Sequence, residues 1–188
     1  MMRTMAGTQQ HAPDKPHSVI FIGRFQPFHN GHERVIRNLV ERYGTLTVGI
    51  GSANESGLLR NPFTLEERKE MLAIALGDLG EKVRIVRIDD KHHDRLWAEH
   101  VISLGEFSRF VSDNDWVRRC LKGALEEIPY PGLIDRDVLE GKHIRHAMAT
   151  GGEWKGRVSP KIAHYLERMN AEGLMRKLLK THREQSKN

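Results

Sequence analysis

Apolar and polar positions along the chain switch between two periods. Val19-Ile20-Phe21-Ile22 is a short continuous apolar run closed by Gly23, the pattern of a strand buried on both faces. After a loop, ERVIRNLVERY places Val35, Ile36, Leu39, Val40 and Tyr43 at helical spacing and stops at Gly44. The unit then recurs. TLTVGIGS predicts a second strand, and Thr64-Leu65-Glu66-Glu67 opens a helix over 64–76 with a capping-box signature, expected to bury Leu65, Met71, Leu72, Ile74 and Ala75. KVRIVRID predicts a third strand, Leu96 to Leu104 a helix, Ser108 to Ser112 a fourth strand, and Asn114 or Asp115 the start of another helix. Ser159-Pro160, an N-cap followed by proline at the first helical position, starts a final helix over KIAHYLERMNAEGLMRKLLKTH. Strands alternating with helices predict an α/β fold with a parallel sheet covered on both faces.

Residues 1–17 are polar, contain two prolines and show no period, which predicts a flexible N-terminal tail. The 188 residues then suit one domain over 18–165, with a C-terminal helix over 159–183 packed on it. A composition of 38% hydrophobic and 29% charged residues is that of a globular chain. No apolar run approaches the roughly 18 residues needed to span a bilayer, and the start has no apolar signal region, so a cytoplasmic location away from membranes is expected. The single cysteine, Cys120, has no intrachain disulfide partner and sits in a helical pattern as a small buried hydrophobe. A net charge of +5 suits a nucleic-acid binder and equally a protein handling polyphosphates, so charge alone decides nothing.

The segment GRFQPFHNGH, running from Gly23 to His32, lies between the first strand and the first helix. In a doubly wound sheet that is the carboxyl edge, where ligands bind. His29 and His32, separated by Asn30 and Gly31, can both face an anion held over the following helix N-terminus. Gly31 lets a phosphate approach the backbone, and Arg24, directly after the buried strand, can reach phosphate as a bidentate donor. Such a site suits nucleotidyl transfer, whose attacking phosphate oxygen is already an anion and needs no general base.

These residues resemble the nucleotidyltransferase superfamily marked by His-x-Gly-His, and within it the archaeal-type nicotinamide-nucleotide adenylyltransferases. The resemblance covers roughly residues 18–165. GRFQPFHNGH is similar to the family's first motif and IGSANESGLLRNPFTLEER to its second, with Arg60 at a position used on ATP phosphates. LWAEHV resembles the segment carrying the nicotinamide-stacking tryptophan, here Trp97, and VSDNDWVRRCL the stretch lining the nucleotide pocket. GKHIRHAM resembles the last motif, whose arginine, here Arg145, grips the triphosphate. The resemblance implies a Rossmann-like doubly wound fold and transfer of the adenylyl group of ATP to nicotinamide mononucleotide, giving NAD+ and pyrophosphate. It further implies Mg2+ carried mainly by ATP phosphates, a homo-oligomer, His29, His32 and Arg145 as catalytic residues, and Gly23, Arg24, Phe25, Gly31, Arg60 and Lys142 around ATP.

Three positions depart from the family pattern. Where the last motif usually reads Ser-Gly-Thr-x-x-Arg, this chain has Glu140-Gly141-Lys142, replacing two hydroxyls with a carboxylate and an ammonium. Asp94 stands where an asparagine commonly reads the nicotinamide amide; an ionised carboxylate accepts from the amide N–H2 and disfavours a second carboxylate, so the amide nucleotide is expected over the acid form. Transfer to another phosphate acceptor (a flavin, pantetheine or alcohol phosphate) and a silent nucleotide-binding module stay open as alternatives. Neither His92-His93-Asp94 nor His143 with His146 supplies three convergent zinc ligands, so no protein-held metal is expected. Trp154, after Gly151-Gly152, is expected to pack a turn, and the basic last helix, with Arg176, Lys177, Lys180 and Arg183, to be a solvated face without nucleic-acid contact.

Overall fold

The structure, a computed structural model, describes residues 15–130 and 141–186. Its sheet has the order β3-β2-β1-β4-β5, with β1 (Val19–Gly23), β2 (Leu46–Ile50), β3 (Val83–Arg87), β4 (Arg109–Val111) and β5 (Glu126–Glu127) all paired in parallel. The chain steps from β1 outward to β3 and then returns to the other side of β1 for β4, which creates a topological switch beside β1. Alternate residues of a strand face opposite sides, so β1 sends Val19 and Phe21 into one core and Ile20 and Ile22 into the other. The first core is covered by α1 (Asn30–Tyr43), α2 (Leu65–Leu76), α5 (Gly141–Thr150), α6 (Pro160–Arg168) and α7 (Ala171–Gln185). The second is covered by α3 (Asp94–Ser103) and α4 (Asp115–Leu121). The doubly wound architecture read from the sequence is the observed one.

Local signals set most boundaries. α1 stops where Gly44 takes a φ of 78°, open to glycine without a Cβ penalty. The Thr64 hydroxyl accepts from Glu67 N–H while the Glu67 carboxylate accepts from Thr64 N–H, completing the capping box of α2.

Several details differ from expectation. α2 buries Arg68 and Leu76 with Met71, Leu72 and Ala75, whereas Leu65 and Ile74 are only partly buried, because the loops beside α2 present carbonyls to the Arg68 guanidinium. α3 begins at Asp94, two residues before Leu96, since His93 Nδ1 accepts from Leu96 N–H as its N-cap. β4 ends at Val111, and the Ser112 hydroxyl then donates to Ile22 O. The single C-terminal helix expected over 159–183 is two helices: Asn170 adopts a left-handed conformation (φ 55°, ψ 46°) and its side chain accepts from Gly173 N–H to cap α7. Trp154 is buried before α6, its indole N–H donating to Glu172 of α7 at 2.9 Å. Of the segment 1–17, residues 1–14 lie outside the described residues, and His17 N–H donates to the Thr45 hydroxyl. Among the described residues no helix is long and apolar enough to cross a membrane.

Candidate active site

At the carboxyl ends of β1, β2 and β4 the loops open into a cleft of about 730 Å3, within the size range of small-molecule sites. The N-terminal turns of α1, α4 and α5 all contribute to its wall, so the positive ends of three helix dipoles border one space. Among the described residues five non-glycine residues take positive φ, and three of them, Phe25, Ser52 and His92, line this cleft. Such backbone costs on the order of 1–3 kcal/mol per residue and concentrates at functional sites.

His29 and His32 stack with ring centroids 3.6 Å apart and an interplanar angle of 21°. His29 is the N-cap of α1: its Nδ1 accepts from His32 N–H at 3.4 Å, which leaves the ring proton on Nε2. Burial, reinforced by the Arg145 charge, lowers the His29 pKa to about 3. Burial and the adjacent His29 hold His32 well below the ordinary imidazole value. Both rings are therefore neutral donors at physiological pH. His32 Nδ1 is buried without a hydrogen-bond partner among the described residues. Phe25 supports the pair, its ring edge-on to His32 at 4.8 Å.

Arg24, Arg60, Lys142 and Arg145 line the same cleft. Arg145, on the second turn of α5, donates to Leu59 O at 3.1 Å and to Gln26 O at 2.5 Å. Burial and then the charge of Arg24 draw its pKa down to about 10, and burial with the charge of Arg60 lowers that of Arg24. These shifts mark cations crowded in a partly dry space, where an anion relieves their repulsion. Glu55 holds two neighbours in place, accepting from Asn61 at 2.7 Å and from Arg60 at 3.1 Å. A Cβ at Gly141 would sit 2.9 Å from Gln26 O, so only glycine lets α5 start this close to the β1–α1 loop. Gly23 lines the cleft, while Gly31 is buried in the first turn of α1. Glu140, the carboxylate that stands in place of one motif hydroxyl, lies outside the described residues.

Two residues that the sequence reading passed over hold the cleft's shape. Gln26 clamps the two motif loops together, donating to Phe63 O and accepting from Phe63 N–H, both at 2.9 Å. The fully buried Arg68 donates to Arg24 O, Gly51 O and Ser52 O as well as Thr64 O. At the far end Trp97 and Trp116 meet with centroids 4.7 Å apart, and the Trp116 indole N–H donates to Asp94 Oδ1 at 3.0 Å. Both tryptophans line the cleft; Asp94, expected at the nicotinamide amide, does not. Among the described residues no three His, Cys, Asp or Glu side chains converge on a possible metal position.

Residues 20–129 match the family model described as cytidylyltransferase-like. The chain is also 42% identical over 144 residues to the nicotinamide-nucleotide adenylyltransferase of Halobacterium salinarum, an overlap covering 76% of this chain and 81% of that one. The chain belongs to the cytidylyltransferase-like family, among its nicotinamide-nucleotide adenylyltransferases. The relative from Archaeoglobus fulgidus is 33% identical over 157 residues, covering 80% of this chain and 90% of its own. A bifunctional NMN adenylyltransferase/ADP ribose pyrophosphatase from Francisella tularensis shares the fold with a TM-score of 0.73 at 20% identity, over 90% of this chain and 54% of that chain. The Plasmodium falciparum nicotinic acid mononucleotide adenylyltransferase complexed with APC shares it with a TM-score of 0.58 at 12% identity, over 85% and 98% of the two chains. The family model ends before α5, yet in this cytidylyltransferase-like chain Gly141, Lys142 and Arg145 border the same cleft as His29 and His32.

Proposed function

We infer that this nucleotidyltransferase joins the adenylyl group of ATP to nicotinamide mononucleotide, releasing NAD+ and pyrophosphate. The observation that carries the reading is the pairing of two neutral, stacked histidines with three crowded arginines in one cleft at the sheet's switch point. Its relatives' names supply the acceptor.

In this reaction a phosphate oxygen of the mononucleotide attacks the α-phosphorus of ATP. One P–O bond forms, the bond to the β-phosphate bridging oxygen breaks, and pyrophosphate leaves with that electron pair. No proton need be removed from the nucleophile. His29 donates through Nε2, and with His32 stabilises the charge that gathers on the α-phosphate oxygens. Arg24, Arg60, Arg145 and Lys142 hold the β- and γ-phosphates and the departing pyrophosphate. Mg2+ fits this site as an ion carried in by the nucleotide, because the cleft gathers cationic side chains suited to phosphate. When bound, it neutralises phosphate charge. A location in the cytoplasm follows from a supply of ATP, and a homo-oligomer remains part of the same reading.

Incubating the protein with ATP, Mg2+ and nicotinamide mononucleotide, with NAD+ read through a coupled dehydrogenase, tests the proposal. Steady NAD+ formation is expected. ATP binding by calorimetry without NAD+ formation would transfer the reading to another phosphate acceptor or to a silent module.

A further inference from the structure

We propose that Glu55 is a positioning residue for the phosphate-binding arginines: it closes the loop 55–61 and turns the Asn61 side chain so that its carbonyl oxygen faces Arg24. The inference rests on the proposed use of Arg24 and Arg60 on ATP phosphates and names the residue that sets them.

A carboxylate is out of place in a cleft that is to hold a polyphosphate, because its charge repels the ligand. Glu55 nevertheless lines that cleft beside Arg24, Arg60 and Arg145. Both of its oxygens are engaged. Arg60 Nη2 donates to Oε1 at 3.3 Å and to Oε2 at 3.1 Å, and Asn61 Nδ2 donates to Oε2 at 2.7 Å. The pair with Arg60 alone would mean little, since that arginine side chain is 66% exposed and water screens it. Asn61 is the informative partner. It is buried, and its backbone is tied in both directions to Leu58, its N–H donating to Leu58 O at 2.9 Å and its carbonyl accepting from Leu58 N–H at 3.2 Å.

The polarity of the groups leaves the Asn61 amide one orientation. A guanidinium only donates and a carboxylate only accepts. Standing between the two, the amide gives its N–H2 to Glu55 and its oxygen to Arg24, whose Nη1 donates to Oδ1 at 3.3 Å. Without Glu55 the amide is free to turn its N–H2 toward Arg24, where donor would face donor and the guanidinium would lose its tie. Burial first and the Arg60 charge second lower the Arg24 pKa, and the charges of Asp90 and Glu55 oppose that shift. The same loop carries Leu59, whose carbonyl accepts from Arg145 Nε at 3.1 Å. One carboxylate thus acts on Arg60 directly, on Arg24 through Asn61, and on Arg145 through the loop it closes.

Steady-state kinetics and calorimetry separate this role from that of a surface ion pair. Glu55→Ala should raise KM and Kd for ATP about tenfold, the scale of one lost hydrogen bond to a charged group, with KM for nicotinamide mononucleotide within about twofold. Glu55→Gln, whose amide oxygen still accepts from Asn61, should recover most of that loss although it discards the charge facing Arg60. In an Arg60→Ala background, Glu55→Ala should raise KM for ATP several-fold again, because the path through Asn61 to Arg24 is still there to lose. Should Glu55→Ala not fold, Glu55→Asp, which keeps the charge and draws it back by one methylene, takes its place with the same rise expected. A wild-type KM for ATP in that variant, a Glu55→Gln protein as impaired as Glu55→Ala, or no further rise in the Arg60→Ala background would each reduce Glu55 to an ion-pair partner of Arg60. Any of the three overturns the inference while NAD+ synthesis stands. ATP binding that shifts as expected in a protein that makes no NAD+ would keep the inference and overturn the proposed acceptor.

Discussion

At 3.6 Å between centroids, protonating either His29 or His32 would set a charge against a ring that has little water to screen it. Their neutrality has consequences for rate and for stability. Removing the His32 ring (His32→Ala) should lower kcat by about 10²–10³, the scale of one preorganised donor, and near-wild-type turnover would take His32 out of the chemistry. For stability, burial holds the His29 pKa at about 3 in the folded chain, against about 6.5 for an imidazole in water. Between those values the unfolded chain binds more protons, so stability is full above pH 6.5 and falls as the pH drops below it, by about 1.4 kcal/mol per pH unit. Urea unfolding at pH 7, 6 and 5 should show this acid loss in wild type and a flatter profile in His29→Asn, which keeps a side-chain oxygen for the cap. Equal slopes would mean that His29 is not buried in its neutral form. The two histidines were legible in the sequence because their spacing lies within one loop. Their stacking was not, since it depends on Phe25 and on the start of α1.

Between elements, the cleft depends on ties that no local pattern announces. Arg68 sits in a run of charged residues, Glu66-Glu67-Arg68-Lys69-Glu70, that has the composition of a solvated helix face. The fold turns it inward, because the carbonyls of Arg24, Gly51 and Ser52 come from two loops whose meeting the sequence does not spell out. The capping box just ahead of Arg68 was readable because its partners, Thr64 and Glu67, are only three residues apart. Asn170 was passed over although a signal was present. Ile162 and Leu166 before it and Ala171 and Met175 after it would fall on nearly opposite faces of one continuous helix, and the αL backbone at Asn170 makes that phase break by dividing α6 from α7. If Arg68 anchors these loops, Arg68→Met, of similar length and without donors, should strand several buried carbonyls. A loss of about 3 kcal/mol is expected, or a melting temperature lower by roughly 6–12 °C. KM for ATP should rise with it, since Arg24 would lose its fixed backbone. A melting temperature within 2 °C or so of wild type would show that water replaces the guanidinium without cost.

Across the whole molecule, apolar burial and the proposed chemistry occupy different places: two cores lie on the faces of the sheet, and the charged groups proposed to hold the phosphates line the cleft at its carboxyl rim. The alternation of strands and helices made that rim predictable, but not which distant segments would share it. Arg145 reaches it only because α5 is held by α7, through a core that includes Ile144, Met148, Ala171 and Met175. The arrangement leaves Arg24, Arg60 and Arg145 repelling one another, with Arg24 lowering Arg145 and Arg60 lowering Arg24. A polyphosphate should remove that repulsion, and the effect should not require a base or a sugar. Thermal unfolding should therefore show a rise with ATP and a smaller one with inorganic pyrophosphate alone. At a ligand concentration 100 times Kd the gain is about 2.7 kcal/mol, or roughly 5–11 °C for a chain of this size. Arg145→Ala should lose most of the pyrophosphate shift, while adding salt should reduce the shift in wild type. An ATP shift with no pyrophosphate shift would place the binding energy on the adenosine and leave the arginine cluster without the role assigned to it.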